Sequence, residues 1–384
     1  MELITKTHDL IDACDTLSKA PFLTVDTEFL RETTFWPKLC LIQMAGPEGE
    51  FIVDPLSSNL DLEPFWALMS NSGVVKVFHA ARQDIEIIHR ETSKIPFPLF
   101  DSQVAAMVCG FGEQISYMNL VKKITGTSLD KSSRFTDWAR RPLSEKQLKY
   151  AIGDVTHLRK IYESLMEELS ATGRGSWLEE EMAVLTNRET YQIEPENAWK
   201  RLKLKVKNRK ALAVLMSIAK WREQMAQSQN IPRNRILRDD ALYDIANQAP
   251  VTVKELGELR SINGGFLRSS RVKSLLEAVR EGLERDMQQV PKLPSKKPMS
   301  AQALATLELL KVLLKSSSAR HRVAPKMIAN AEDLEKLARV DMPDIPALKG
   351  WRKQLFGDEA LRLKRGELAL TLSQGEVCVI PTKS

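Results

Sequence analysis

Four cysteines (Cys14, Cys40, Cys109, Cys378) are scattered through 384 residues, with no Cys-x-x-Cys pair among them. That scarcity excludes a zinc ribbon or a disulfide framework and suits a reducing compartment, so a cytoplasmic location is expected. No apolar run approaches the length of a bilayer span, and the N-terminus lacks the basic-then-apolar pattern of a secretion signal, so no membrane association is expected. Strand-like segments are missing from about residue 200 until Val377-Cys378-Val379-Ile380 near the C-terminus, which makes the second half helical. A large charge imbalance is missing too. Fifty-six basic residues face 50 acidic ones for a net charge of +6, which is compatible with a polyanionic partner but does not specify one. With 43% hydrophobic and 28% charged residues, the composition is that of a soluble globular chain long enough for two or three domains.

What is present changes character near residue 200. Before it, Phe22-Leu23-Thr24-Val25, Leu39-Cys40-Leu41-Ile42-Gln43-Met44 and Phe51-Ile52-Val53 are apolar runs of strand length, and Gly46-Pro47-Glu48-Gly49 reads as a hairpin turn between the last two. The pattern predicts an antiparallel meander, preceded by a strand over 2–5 and a helix over 8–19 whose Leu10, Ile11, Cys14 and Leu17 recur at helical spacing. After Asp54-Pro55, helices over 60–69 and 80–90 flank a strand over 74–78. Alternation of this kind implies parallel crossovers and hence a mixed sheet. Residues 102–109 and 116–124 read as two further helices. Pro142-Leu143-Ser144 opens a long helix, in which Ser144 and Gln147 have capping-box spacing ahead of a stripe of Leu148, Ile152, Val155, Tyr162 and Met166.

After residue 200 a dense basic run (200–210) leads into helices broken by Pro250, by Gly264-Gly265 and by a Pro- and Lys-rich linker over 291–298. The two sides of that linker repeat at a constant offset of 92. Leu215 matches Leu307, Ile236 matches Ile328, and Leu242 matches Leu334; Leu256, Arg260 and Gly265 match Leu348, Arg352 and Gly357. The expected organisation is an α/β domain over 1–190, two helical bundles over 208–290 and 300–372, and a tail over 373–384.

Chemistry is concentrated at three places in the first domain. Asp26 and Glu28 stand two apart near the end of a strand, so their side chains share a face. Two carboxylates so close repel each other unless positive charge lies between them, and a divalent cation with oxygen ligands is the simplest remedy. The strand over 74–78 ends at His79, and the helix after it carries Asp84 in its first turns, at the carboxyl edge of the sheet where α/β sites form. On the long helix Tyr150 and Asp154, four apart, share a face on the flank of the apolar stripe.

Asp26-Thr27-Glu28, Asp84 and Tyr150-x-x-x-Asp154 together resemble the three motifs of the DEDD 3′→5′ exonucleases, a family of ribonuclease H-like fold. Tyrosine four residues before the last acid matches the tyrosine branch. The histidine branch has its histidine five residues before that acid, where Lys149 stands here. Val25-Asp26-Thr27-Glu28-Phe29, Leu41-Ile42-Gln43, Val53-Asp54-Pro55-Leu56 and Asp137-Trp138-x-x-Arg141-Pro142-Leu143 resemble the ribonuclease D group of that family, and the helical repeats resemble the helicase-and-RNase-D C-terminal (HRDC) domain. The resemblance extends over nearly the whole chain and stops near Ser373.

The resemblance implies an α/β ribonuclease H-like mixed-sheet exonuclease domain followed by two all-α helical-bundle domains. It implies a metal-dependent 3′→5′ exoribonuclease that releases nucleoside 5′-monophosphates. Its substrate would be RNA with a single-stranded 3′ tail, tRNA precursors foremost, and no protein partner is implied. Two divalent metal ions, Mg²⁺ or Mn²⁺, would be held by Asp26 as bridging ligand, by Glu28 and Asp154 at the first site and by Asp84 at the second, with Tyr150 orienting the attacking water. Phe29, Gln43 and His79 are candidate substrate contacts that also read as ordinary core residues. The basic run and Lys296-Lys297 are candidate phosphate contacts. Two alternatives remain open: a 3′→5′ DNA exonuclease, since the motif residues meet phosphate and metal rather than a 2′-hydroxyl, and a non-catalytic RNA-binding adaptor, which would need none of the four acids.

Overall fold

In the computed structural model, residues 3–129, 136–192, 194–293 and 298–382 are described. Lys296, Lys297 and Glu2 lie outside them. The chain opens with β1 (Leu3–Ile4) and α1 (Thr7–Ser18), which buries Leu10, Ala13, Cys14 and Leu17, close to the face its spacing predicts. Then come β2 (Phe22–Leu30), β3 (Lys38–Gly46), β4 (Gly49–Val53), α2 (Glu63–Ser70), β5 (Val75–Phe78), α3 (Arg82–Thr92) and β6 (Leu99–Asp101). These strands make one sheet in the order β1-β4-β3-β2-β5-β6. β3 and β4 pair antiparallel across the predicted turn, whereas β1 joins β4, β5 joins β2 and β6 joins β5 in parallel. The sheet is therefore mixed, as expected. The three-residue β6 is too short to leave a period in the sequence. Lys76 of β5 is fully buried, and its ammonium donates to the carbonyls of Val74 (2.8 Å), Phe97 (2.6 Å) and Asn71, which ties the segment leading into β5 to the one leading into β6.

α4 (Ser102–Val108), α5 (Tyr117–Thr125), α6 (Glu145–Thr172) and α7 (Gly175–Thr186) complete this part. The capping box at the head of α6 is present: Ser144 Oγ accepts from the Gln147 N–H, and the Gln147 side chain accepts from the Ser144 N–H. Among the described residues no helix is long and apolar enough to cross a membrane.

The helical half repeats as the offset of 92 predicts. α8 (Arg209–Gln229), α9 (Arg233–Ile236) and α10 (Asp239–Gln248) are followed by α11 (Val253–Gly257), α12 (Gly264–Leu267) and α13 (Arg271–Glu284). Their counterparts begin with α14 (Ala301–His321), α15 (Pro325–Ile328) and α16 (Ala331–Arg339), the first two with bounds displaced by 92 at each end. The caps match as well. Asn208 and Ser300 each accept from the third N–H of the helix they start, and Asn230 and Arg322 each end it in the left-handed region. The correspondence lapses at Gly265 and Gly357. Gly357 lies in a π-helical turn where a Cβ would come within 2.6 Å of the Ala347 carbonyl oxygen, so glycine is demanded there by packing.

The chain divides into two compact units that regroup the expected domains: the second helical repeat joins the α/β part, and residues 29–40 join the first repeat. One unit comprises Met1–Glu28, Leu41–Thr190 and Lys297–Ser384; the other comprises Phe29–Cys40 and Tyr191–Lys296. In the first unit, Leu158, Ile161, Leu165 and Leu169 of α6 belong to the same apolar cluster as Leu310 and Leu313 of α14 and Met327 and Ile328 of α15. Trp177 stacks on Trp351 with ring centroids 4.3 Å apart, and the Ala324 N–H donates to the Met107 carbonyl at 2.9 Å. The second repeat thus buries its apolar surface against the α/β part, because a bundle this small gains more from a shared core than from a core of its own. The expected tail is also folded. β7 (Leu368–Ser373) pairs antiparallel with β8 (Glu376–Pro381), so a boundary at 372 cuts a hairpin.

In the second unit the basic run is mostly irregular between a 3-10 helix that ends at Arg201 and α8. Leu202 is buried and Leu204 and Val206 pack on the core, while Lys203, Lys205 and Lys207 face solvent. Arg209, at its end, donates to the carbonyls of Met287 and Val290, both at 2.5 Å, and so has a structural task.

Candidate active site

Strand alternation puts Thr24, Asp26 and Glu28 on one face of β2. The Thr24 hydroxyl lies 2.9 Å from the Val155 carbonyl oxygen of α6 and 3.1 Å from that of Ala45 in β3. This contact anchors α6 to β2 one residue beyond Asp154. β2 pairs with β5 through Phe22, Leu23 and Thr24 and then runs on to Leu30, so Asp26 and Glu28 emerge past the end of β5. They open into a cleft of about 670 Å³ that Tyr150, Asp154, Tyr117 and His79 also line. Among the described residues, Asp26, Glu28 and Asp154 form a group whose ligand oxygens lie within 4.8 Å of one another.

Asp84 is reached differently. It is buried in the first turn of α3 and accepts a hydrogen bond from Thr27, whose side chain leaves β2 on the face opposite to Asp26. Burial above all pushes its carboxyl up to about 7, against the lowering effect of the Thr27 hydroxyl. The Asp26 carboxyl is pushed well above the ordinary carboxylate range by burial, then by the charges of Asp154, Asp84 and Glu28. Carboxylates held together at such electrostatic cost, offering only oxygen donors, fit a hard divalent cation.

Three supporting groups carried no conspicuous signal in the sequence. The Tyr117 hydroxyl donates to the Gly153 carbonyl at 2.8 Å, fixing α5 against α6 between Tyr150 and Asp154. Burial, then the charges of Asp154 and Asp26, raise its pKa well above the usual tyrosine value, so it remains a donor. Asp101 accepts from the Ala80 and Ala81 N–H groups at 3.0 and 2.9 Å and also caps α4, holding the left-handed turn at Ala80 that separates β5 from α3. An aspartate before an apolar helical run is a cap signal and was legible in principle.

The third, Arg141, joins two runs that the sequence shows only as separate resemblances. Its guanidinium grips the Asp54 carboxylate through Nε and Nη2, both at 2.6 Å, and Nη1 donates to the Trp138 carbonyl at 2.7 Å. The Trp138 ring packs 6.1 Å, centroid to centroid, from that of Tyr150. Burial raises the Asp54 carboxyl, but hydrogen bonds from Arg141 and the Leu56 N–H outweigh it and leave the pKa below the usual value. Arg141→Lys keeps the charge and loses the fork. It is expected to cost about 1–3 kcal/mol in chemical denaturation and to lower turnover through the displaced Trp138. An unmoved denaturation midpoint would show that the fork adds nothing.

The candidate substrate contacts fare less well. Gln43 is fully buried in β3 and is not among the residues lining the cleft; its amide nitrogen and oxygen have no hydrogen-bond partner among the described residues. His79 does line the cleft, but Nδ1 lies 2.9 Å from Ser102 Oγ and Nε2 lies 3.1 Å from the Ile115 carbonyl oxygen, so neither nitrogen is open to a substrate. Burial lowers its pKa, which keeps the ring neutral. Phe29 is half-buried and is not among the lining residues.

The cleft continues on both sides. Through Tyr150 and Asp154 it adjoins a hollow bordered by Lys146, Lys149 and His157, and through Gln114 and Ser116 it adjoins one bordered by Lys122 and Lys123. An acidic centre flanked by lysines suits a polyanion that must approach carboxylates.

Residues 1–170 match a family model described as 3′-5′ exonuclease, and residues 211–279 match the HRDC domain. The chain is 52% identical to ribonuclease D of Nitrobacter hamburgensis, covering 98% of each chain, and 48% identical to that of Bartonella henselae, covering 98% of this chain and 93% of the other. Its structure is similar to the crystal structure of Escherichia coli RNase D, an exoribonuclease involved in structured RNA processing. The TM-score is 0.80 at 28% identity, over 95% of this chain and 98% of that one.

Proposed function

The chain belongs to the ribonuclease D family of 3′→5′ exoribonucleases, and from that premise we propose which of its residues carry the reaction and on what RNA. Asp26, Glu28, Asp84 and Asp154 hold two divalent metal ions, Mg²⁺ or Mn²⁺. The observation that carries this reading is the gathering of three of those carboxylates within 4.8 Å. When bound, the cations lower the pKa of the attacking water and stabilise charge on the phosphate and the leaving oxygen.

The protein's own part is placement. Thr24 holds the Asp154 segment of α6 against β2, Tyr117 fixes that segment to α5, and Thr27 orients Asp84. The Tyr150 hydroxyl hydrogen-bonds the attacking water and keeps it in line with the scissile bond. A phenol hydroxyl both donates and accepts hydrogen bonds, which suits it to orient the water. Attack forms the bond from the water oxygen to phosphorus and breaks the bond to the 3′-oxygen. The water's proton passes to solvent, the 3′-oxygen gains one, and a nucleoside 5′-monophosphate leaves. The flanking lysines receive the incoming backbone.

The substrate is a folded RNA with a single-stranded 3′ tail, tRNA precursors foremost, met in the cytoplasm, and the helical repeats contribute to holding its body. A hairpin RNA with a 3′ tail and a DNA of the same sequence, each incubated with Mg²⁺, with Mn²⁺ and with chelator, test the reading. A metal-dependent ladder of mononucleotides from the RNA is expected. Equal degradation of the DNA would favour the DNA exonuclease, and binding without release would leave the adaptor.

A further inference from the structure

The internal repeat provides a comparison within one chain. In the second repeat Arg352 is in use: its Nε donates to the Met327 carbonyl at 2.9 Å, and its Nη1 and Nη2 donate to Glu180 and Glu181 of α7 at 2.5 and 2.7 Å. The face of the second repeat that carries Arg352 therefore holds two carboxylates. Ninety-two places earlier, Arg260 stands in the first repeat, and Arg235 stands where Met327 does. There the same face is open. It forms a hollow of about 570 Å³ lined by Arg235, Arg238, Arg260 and Arg271, of which the first three are exposed. Asp240 is the acid at this hollow, and one of its oxygens already accepts from the Ala241 N–H. Arg271 is braced by Gln229 Oε1 at 2.6 Å. In the same lining, Ser261 Oγ and Ser269 Oγ are buried without a hydrogen-bond partner among the described residues.

Four arginines against one aspartate in the lining, three of them exposed, leave a surplus of positive charge that suits an anion. We propose that this hollow in the first repeat is a binding site for phosphate groups of the RNA backbone, and that the second repeat has converted the equivalent face into an internal contact. Grip on the RNA body then belongs to the first repeat, and the second serves to complete the unit that contains the nuclease. The proposal rests on the exoribonuclease reading for its choice of RNA. Phosphodiesters fit better than a helix bearing glutamates, because a single arginine suffices for the glutamate pair in the second repeat, whereas here three exposed arginines suit a ligand of repeating charge.

The test uses the full chain carrying Arg235→Ala, Arg238→Ala and Arg260→Ala together, three exposed side chains whose loss spares the core. Binding of a 3′-tailed hairpin RNA is followed by fluorescence anisotropy in chelator, over a range of salt concentrations, beside a short unstructured oligonucleotide. The triple variant is expected to bind the hairpin about tenfold or more weakly. Its salt slope should be shallower by about two to three, one unit for each phosphate left without its arginine, and the short oligonucleotide should be affected less. Arg352→Ala should instead lower Tm and leave the salt slope as it was. A triple variant with unchanged hairpin affinity and slope would overturn the proposal; if it had also lost affinity for a glutamate-rich helical peptide, the hollow would pass to an acidic protein segment. Binding is read without cleavage, so an intact chain that bound RNA here yet released no nucleotide with metal would contradict the exoribonuclease reading and leave this site standing.

Discussion

Asp26→Asn and Asp154→Asn are each expected to lower nucleotide release by about 10³-fold or more while raising the Tm of the metal-free protein. Loss of one carboxylate from a cluster that works as a unit removes nearly all of its function, because the remaining ligands no longer set the charge and geometry at the phosphate. The rise in Tm has a separate cause. Burial and the neighbouring acids hold the Asp26 carboxyl well above the range it has in an unfolded chain. A carboxyl whose folded pKa is raised binds its proton more tightly in the native state. Its contribution to stability is therefore favourable at low pH and is lost as pH rises through the folded value. For Asp84, pushed up to about 7, the loss runs from the unfolded value near ~4 to about 7. The metal-free wild type should consequently melt lower at pH 8 than at pH 5, Asp26→Asn should flatten that slope with a Tm gain of about 2–6 °C at pH 8, and added Mg²⁺ should restore the wild type. Scanning calorimetry with and without chelator measures this. Full activity in either variant, or a metal-free Tm indifferent to both pH and the substitution, would remove the basis for the metal assignment.

Tyr150→Phe is expected to reduce kcat by ~10²–10⁴-fold with RNA affinity nearly unchanged. The substitution keeps the ring, and with it the packing against Trp138, so the loss is that of the hydroxyl alone. Single-turnover cleavage of a tailed RNA at saturating protein separates this from binding. Wild-type turnover would make Tyr150 a packing residue. A matching rise in Kd would place its hydroxyl on the RNA and not on the water.

The sequence by itself determined whatever depends on one stretch of backbone. Alternation along β2 put Asp26 and Glu28 on one face, a four-residue step put Tyr150 and Asp154 on another, and Ser144 with Gln147 set the head of α6. The offset of 92 reproduced α8 and α9 in α14 and α15, down to the left-handed residues that end the two long helices. Tertiary structure alone decided what each face meets. Gln43 has the strand position of a site residue and is sealed in the core, and His79 stands at the cleft with both nitrogens engaged. Asp84 owes its place to a threonine on the opposite side of β2, and the Asp54 run meets the Arg141 run through one bidentate pair. Two helical repeats that begin with the same helices and caps ended with different surroundings, one sharing its core with the α/β part and the other keeping Arg235, Arg238 and Arg260 exposed. Periodicity and caps record the conformation of a segment and which of its sides is apolar. They carry no record of which distant surface will cover that side, since that choice is made by complementary shape and charge between segments far apart in the chain.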